Sequence, residues 1–259
     1  MNKLLLVITT YNQVEYTKLC FDSLKKVTDC KFDVLIIDDY STDDTIDLCM
    51  DYEYEVIKKD KPMGLTHSWN LGYKRFKEDN YDHLIIANND ILIPNGSISE
   101  LLSVFHKWPY TLVVPLTTTN GAGHNAEHQS IESHYDSIDQ ICNEPDNYQK
   151  VQDNIFEIKK NIKKSNNLYV VDPYRVKMFN GFFFMANRNV VNYEYEKDIL
   201  FNPRFIMTKN EDEFNWSKLI PNNDYPAVCK TSFIYHFKGV SAVGMLRNND
   251  KWKEERVKN

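Results

Sequence analysis

Apolar residues fall along the first half of the chain in two alternating rhythms. Leu4 to Ile8 is an unbroken apolar run, as expected of a strand buried on both faces. Tyr16, Leu19, Cys20, Leu24 and Val27 then recur at helical spacing. Phe32 to Ile37 predicts a second buried strand, ending in Asp38-Asp39. Ser41-x-x-Asp44 has the form of a helix start, with Ser41 as cap and Ile46 and Met50 turned inward. Next come a short strand over Tyr54 to Ile57 and a helix with Trp69, Gly72, Tyr73 and Phe76 on one face. A buried strand over His83 to Ala87 runs into Asn88-Asn89-Asp90, and a further helix carries Ile98, Leu101, Leu102 and Phe105. Thr111 to Pro115 closes the series.

Strands and helices in alternation, with the strands apolar throughout, predict an α/β fold: a mostly parallel central sheet flanked by helices on both faces. In such sheets ligands bind beyond the carboxyl ends of the strands. Three polar clusters fall there: Thr10-Tyr11-Asn12, Asp38-Asp39 and Asn88-Asn89-Asp90. Together they define a site on one rim.

From Thr117 to Lys177 the pattern weakens into a stretch rich in Asn, Asp, Lys, Ser and His, with one helix expected over Val151 to Ile162. It reads as a loop-rich insertion (117–177) over the active-site rim. Order returns with an aromatic strand from Phe179 to Met185, then a helix start at Asn210 to Glu213 and strands near Ala227 to Cys229 and Phe233 to Tyr235. The expectation is one domain over 1–247, followed by a charged tail over 248–259.

Composition narrows the function. A net charge of −6 argues against a nucleic-acid partner, which needs a basic stripe. An acidic protein still binds a nucleoside diphosphate when a divalent cation supplies the positive field. Five scattered cysteines without a C-x-x-C pair fit reduced thiols in the cytoplasm better than a disulfide framework or zinc cage. No run approaches a membrane span, so membrane contact is expected to be peripheral at most. His124, His128 and His134 are spaced like metal ligands, but no acid–histidine helix supports them, and solvated loop residues are the expectation. The glycine fingerprints of dinucleotide binding and of P-loops are both missing.

The ordered motifs resemble family 2 glycosyltransferases, which have the GT-A fold. The resemblance begins at Ile8-Thr9-Thr10-Tyr11-Asn12 and continues through Ile36-Ile37-Asp38-Asp39-x-Ser41-x-Asp43-x-Thr45. Gly64-Leu65-x-x-x-Trp69-Asn70-x-Gly72, Asn88-Asn89-Asp90, and Asn180-Gly181 with Arg188 follow. It ends with Glu211-Asp212 and His236-x-x-Gly239-x-Ser241. The asparagine-rich third cluster leans towards rhamnosyltransferase-like relatives. Each motif alone is weak; their order over nearly the whole chain gives the resemblance its force.

What the resemblance implies can be stated residue by residue. Thr10, Tyr11, Asn12, Asp38, Asp39, Gly64, Asn70, Asn88 and Asn89 would surround the nucleotide, with Asp39 towards the nucleoside. Asp90 is the one acid kept from the family's D-x-D motif and would approach Mn²⁺ or Mg²⁺, with His236 completing the shell. Asp212 is the candidate general base, since an acceptor hydroxyl needs a carboxylate to take its proton as the new bond forms. Glu211 would shape acceptor or diphosphate contacts. Gly181 and Trp216 fall on the sugar and acceptor side; Trp108 and Trp252 are read as structural.

Each residue also has a plainer reading. Asp38 and Asp39 can solvate a strand end, Asn12 can cap a turn, Asn88 to Asp90 can form an Asx turn, and Glu211-Asp212 can favour a helix start. The expected activity is inverting transfer from a nucleoside-diphosphate sugar to a hydroxyl of a glycan or glycoconjugate. The alternative is a catalytically silent sugar-nucleotide or glycan-binding module on the same fold.

Overall fold

The computed structural model describes residues 3–118, 129–131, 179, 181–203, 219–221, 224 and 226–237. Their architecture follows from β1 (Leu4–Thr10), whose side chains are apolar on both faces. Leu4, Leu6 and Ile8 enter one core layer; Leu5 and Val7 enter the other. Such a strand is stable only at the centre of a sheet with helices above and below.

That is where it lies. β1 pairs in parallel with β2 (Asp33–Asp38) on one side and β4 (His83–Asn88) on the other. β3 (Glu55–Lys58) extends the sheet beyond β2. β8 (Phe183–Asn187) pairs antiparallel with both β4 and β6 (Leu112–Thr118). β7 (Gln129–Ile131) and β9 (Ala227–Phe233) each pair in parallel with β6. The order is β3-β2-β1-β4-β8-β6-β7, with β9 also on β6. β8 is the strand that makes the sheet mixed.

Helix α3 (Leu65–Glu78) covers one face with Trp69, Tyr73 and Phe76, packed against Leu5, Val7, Leu35, Ile37, Leu84 and Ile86. Gly72 permits the closest approach, because a Cβ there would lie 2.6 Å from Val7 Cγ1. Helices α1 (Val14–Leu24), α2 (Thr45–Asp51) and α4 (Ser97–Lys107) cover the other face through Cys20, Phe21, Leu24, Cys49, Ile98, Leu101 and Val104. The expected α/β architecture is therefore present. No helix among the described residues is long and apolar enough to cross a membrane.

Several local expectations are corrected. α2 starts at Thr45, with Asp44 before it, rather than at a Ser41 cap. Ser41 instead bonds to Asp38 through both its amide and its hydroxyl. On a helix of this phase Thr45 and Cys49 point inward, Ile46 is half-buried, and Met50 is 69% exposed. The aromatic strand begins at Phe183, not Phe179. The last expected strand becomes β10 (Tyr235–His236), which leaves the main sheet and pairs antiparallel with β5 (Ile91–Leu92). Residues 119–128 and 132–177 of the insertion, the helix over 151–162, the helix start at 210 and the 248–259 tail lie outside the described residues.

Candidate active site

Register brings the polar clusters level. Thr10 pairs with Asp38, Thr9 with Asn88, and Asp38 with Lys58, so β1, β2, β3 and β4 end on one rim. The first two loops are stitched together there. Asp38 is fully buried and accepts from Thr10 Oγ1 at 2.9 Å and from the Ser41 amide at 2.8 Å. The Asn12 amide donates to Ser41 Oγ at 2.7 Å, and Asn12 Oδ1 accepts from the Thr42 amide at 2.8 Å. Asn12 and Gln13 both take left-handed backbone geometry, turning the chain into α1. The first amide of that helix, from Val14, is met by Asp43 at 3.1 Å rather than by Asn12. Tyr11 is half-buried between these contacts.

Asp39 makes a separate network. Its Oδ1 accepts from Lys59 Nζ at 2.8 Å and the Met63 amide at 2.7 Å; its Oδ2 accepts from the Gly64 amide at 2.8 Å. Lys59 Nζ also donates to Gly64 O at 3.0 Å and Ser68 Oγ at 2.6 Å. Burial pulls the Lys59 ammonium below its ordinary pKa, and the Asp39 and Asp38 charges oppose that pull. His67, one turn into α3, is lowered by burial and then by the Lys59 charge. Neither residue was marked by the sequence. Lys59 sits in Lys58-Lys59-Asp60-Lys61, which resembles a solvated charge run; its place beyond β3 was the available signal.

At the end of β4 the two candidate metal ligands meet. His236 Nε2 lies 3.3 Å from Asp90 Oδ1, and both side chains are buried. The β10–β5 ladder sets His236 opposite Ile91, and the Phe237 amide donates to Asp90 O at 3.0 Å. The Phe182 ring stacks on the His236 imidazole, with centroids 4.5 Å apart and planes 11° from parallel. Asp90 Oδ1 and Asn88 Oδ1 are buried and accept no hydrogen bond among the described residues. Buried oxygens without donors are costly, and a hard divalent cation is the chemistry that relieves them. The residues therefore fit such an ion. No group of three or more His, Cys, Asp or Glu gathers among the described residues, so further oxygens must come from elsewhere, as a diphosphate can supply.

Other expected residues take distinct places. Asn89 Nδ2 donates to Thr17 Oγ1 at 2.8 Å and to Asn12 O at 3.3 Å, tying the end of β4 to α1. Asn70 faces away from these loops' contacts: it donates to Phe201 O at 2.8 Å and accepts from the Leu200 and Phe201 amides at 3.0 and 2.9 Å. Gly181 is buried just before Phe182, whose carbonyl accepts from the Asn88 amide at 2.8 Å, next to the Asp90 cluster. Arg188 holds Tyr81 O at 2.7 Å and Asn80 Oδ1 at 3.1 Å, a structural role. Glu211, Asp212 and Trp216 lie outside the described residues.

A mixed sheet of this order, with a polar rim and an acid at the end of its fourth strand, defines the GT-A class of α/β folds. The chain belongs to glycosyl transferase family 2, whose model matches residues 5–193. A search of curated proteins finds no sequence match. Solved structures match by fold. S. aureus TarS 1-349 superposes with a TM-score of 0.58 at 14% identity, covering 98% of this chain and 68% of that one. GalNAc-T7 with UDP, GalNAc and Mn²⁺ gives 0.61 at 15% identity, covering 91% and 44%. The mannosyltransferase PcManGT from Pyrobaculum calidifontis, with GDP-Man and Mn²⁺, gives 0.57 at 11%, covering 94% and 60%. The chain thus spans less than two thirds of the length of the last two.

Proposed function

We propose that this protein is an inverting glycosyltransferase that moves a sugar from a nucleoside diphosphate to an acceptor hydroxyl on a glycan or glycoconjugate. The observation that carries the reading is the 3.3 Å approach of His236 Nε2 to Asp90 Oδ1, next to Asn88 Oδ1, both oxygens being buried and accepting no hydrogen bond among the described residues. Solved relatives in fold hold a nucleotide or nucleotide sugar together with Mn²⁺, which supports the same chemistry here.

Asp90 and His236 would hold Mn²⁺ or Mg²⁺, which supplies positive charge against the departing diphosphate. Thr10, Tyr11, Asn12, Asp38, Asp39 and Gly64 form the nucleoside side of the rim. Asp212 takes the acceptor proton while the acceptor oxygen bonds to the anomeric carbon and the bond to the diphosphate breaks. Attack from the face opposite the leaving group inverts the anomeric centre. Gly181 and Trp216 serve the sugar and acceptor side.

The test is a panel of nucleotide sugars, rhamnosyl donors included, incubated with glycan acceptors with and without Mn²⁺. Release of nucleoside diphosphate that requires both acceptor and metal is expected. Donor binding without release for every pair would instead favour the silent sugar-nucleotide module.

A further inference from the structure

Phe182, Phe183 and Phe184 run in succession, and the sheet accounts for two of them. Phe183 and Phe184 pair with Ala87 and Ile86 of β4 and fill the core on its two faces. Phe182, 1% exposed, stands one residue before β8 and lays its ring flat on the His236 imidazole, centroids 4.5 Å apart and planes 11° from parallel. We infer that Phe182 is a positioning residue that fixes the plane of the His236 ring, so that Nε2 stays directed at Asp90. The inference rests on the transferase reading above and on the divalent cation proposed there for Asp90 and His236.

The need for such a residue lies in the torsions of histidine. The β10–β5 ladder sets the His236 backbone opposite Ile91, and the Phe237 amide holds Asp90 O at 3.0 Å. These bonds place the histidine backbone but not its ring, because rotation about the Cβ–Cγ bond of an imidazole is broad. Turning about that bond sweeps Nε2 away from Asp90 Oδ1, which lies 3.3 Å from it. A phenyl ring packed flat on one face blocks the tilted positions, since tilting drives the imidazole edge into it, and the offset parallel arrangement is itself a favoured one. Two flat orientations remain, and Asp90 selects the one that brings Nε2 to its Oδ1.

Phe182 is in turn held to the strand end that carries the acid. Its carbonyl accepts from the Asn88 amide at 2.8 Å, two residues before Asp90. One residue thus joins the end of β4, through its backbone, to the histidine, through its ring.

Titration of the full chain with Mn²⁺ in the presence of UDP or GDP, whichever it binds, tests this by electron paramagnetic resonance, with nitrogen modulation of the spin echo reporting imidazole coordination. The unaltered chain should show nitrogen coupling that His236→Ala lacks. Phe182→Leu keeps an apolar side chain but no flat face; it should lower Mn²⁺ affinity by about tenfold and weaken the nitrogen coupling. Phe182→Tyr, which keeps the face, should retain both. In the His236→Ala background, Phe182→Leu should change Mn²⁺ affinity by less than about twofold, because its route to the ion is gone. An equal loss in both backgrounds makes Phe182 a core residue only and overturns the inference, as does a folded Phe182→Leu protein with unchanged affinity and coupling. Mn²⁺ bound without nitrogen coupling in the unaltered chain removes His236 from the ion and overturns the inference while leaving transfer intact. No nucleotide-dependent Mn²⁺ binding at all defeats the metal-dependent transferase reading too. If Phe182→Leu does not fold, Phe182→Met carries the same comparison.

Discussion

Asp90 and His236, far apart in the chain, stand 3.3 Å apart because a two-residue ladder between β5 and β10 carries the end of one strand onto the other. The ladder lies off the main sheet, so the pair is an addition to the scaffold rather than a product of it. If both residues hold one ion, their losses should not add. Asp90→Ala and His236→Ala are each expected to weaken Mn²⁺-dependent nucleotide binding by about ten- to a hundredfold, with the double variant little worse than the poorer single one. Titration of Mn²⁺ in the presence of UDP checks this; strictly additive losses would separate the two residues.

Gly72 is the contact point between α3 and β1. Alanine is ordinarily the better helix residue by about 1 kcal/mol. Here its methyl group would lie 2.6 and 2.8 Å from the two methyl carbons of the fully buried Val7. Gly72→Ala should therefore destabilise the fold by about 1–3 kcal/mol despite its helix propensity. Val7→Ala on that background should recover part of the loss, because the truncated side chain makes room. Thermal melts of the four proteins read the coupling directly.

The sheet was legible because its strands are apolar on both faces and its helices keep a clean period. Leu4 to Ile8, Phe32 to Ile37 and His83 to Ala87 all became central parallel strands. Thr10, Asp38 and Asn88 of the motifs fall at strand ends on one rim, while Glu211, Asp212, Gly239 and Ser241 lie outside the described residues. What pattern could not show was the partner of each polar side chain. Asn70 belongs to a motif next to the nucleotide loops, yet its carboxamide is bonded to the backbone of Leu200 and Phe201. Ser41 has the form of a cap but serves Asp38. Lys59 looks like a surface charge and is buried. The Asn70 and Lys59 contacts join separate segments and the Ser41 contact lies inside one loop, and periodicity within one element encodes neither.

Asn70 gives a prediction on that point. Asn70→Ala leaves the Leu200 and Phe201 amides without their acceptor, at a cost of about 1–3 kcal/mol for each amide that stays buried. Stability should fall while the dissociation constant for UDP and Mn²⁺ changes less than about threefold. Asn70→Asp keeps the acceptor oxygen and should retain more of the stability. A large loss of nucleotide affinity in a fully folded Asn70→Ala protein would show that the residue serves the nucleotide site as well.

Lys77 on α3 clamps the segment after β8. Its ammonium donates to Glu194 at 2.6 Å and also to Asp198, while the Tyr73 hydroxyl donates to Glu194 at 2.6 Å. Burial pushes the Glu194 carboxyl up, but the Lys77 and Tyr73 hydrogen bonds outweigh it and hold it below the ordinary carboxylate range. The Lys77 hydrogen bond lowers Asp198 in the same sense. Two lowered acids stabilise the fold fully above their ordinary values, near pH 4, and lose that contribution as pH falls through the depressed values. Lys77 itself is raised, chiefly by its bonds to Asp198 and Glu194, so its share is lost only as pH rises beyond about 10.5. The Tm gap between the unaltered protein and Lys77→Met should be constant near neutrality and close below about pH 4. A gap independent of pH at the acid end would remove the ion pairs from the clamp.

Asp212 is the general base we propose, and its test must separate chemistry from binding. Asp212→Asn preserves size and polarity but cannot accept the acceptor's proton. Loss of a general base typically lowers rate by about a hundred- to ten-thousandfold. The expected result is a fall of that size in kcat, with Kd for the donor nucleotide within about threefold of the unaltered chain. Glu211→Gln should act more on KM than on kcat, because its proposed role is to shape acceptor or diphosphate contacts and not to take the reacting proton. Equal losses in kcat and donor affinity for Asp212→Asn would point instead to a role in building the donor site. A variant with the full transfer rate would remove Asp212 from the mechanism altogether.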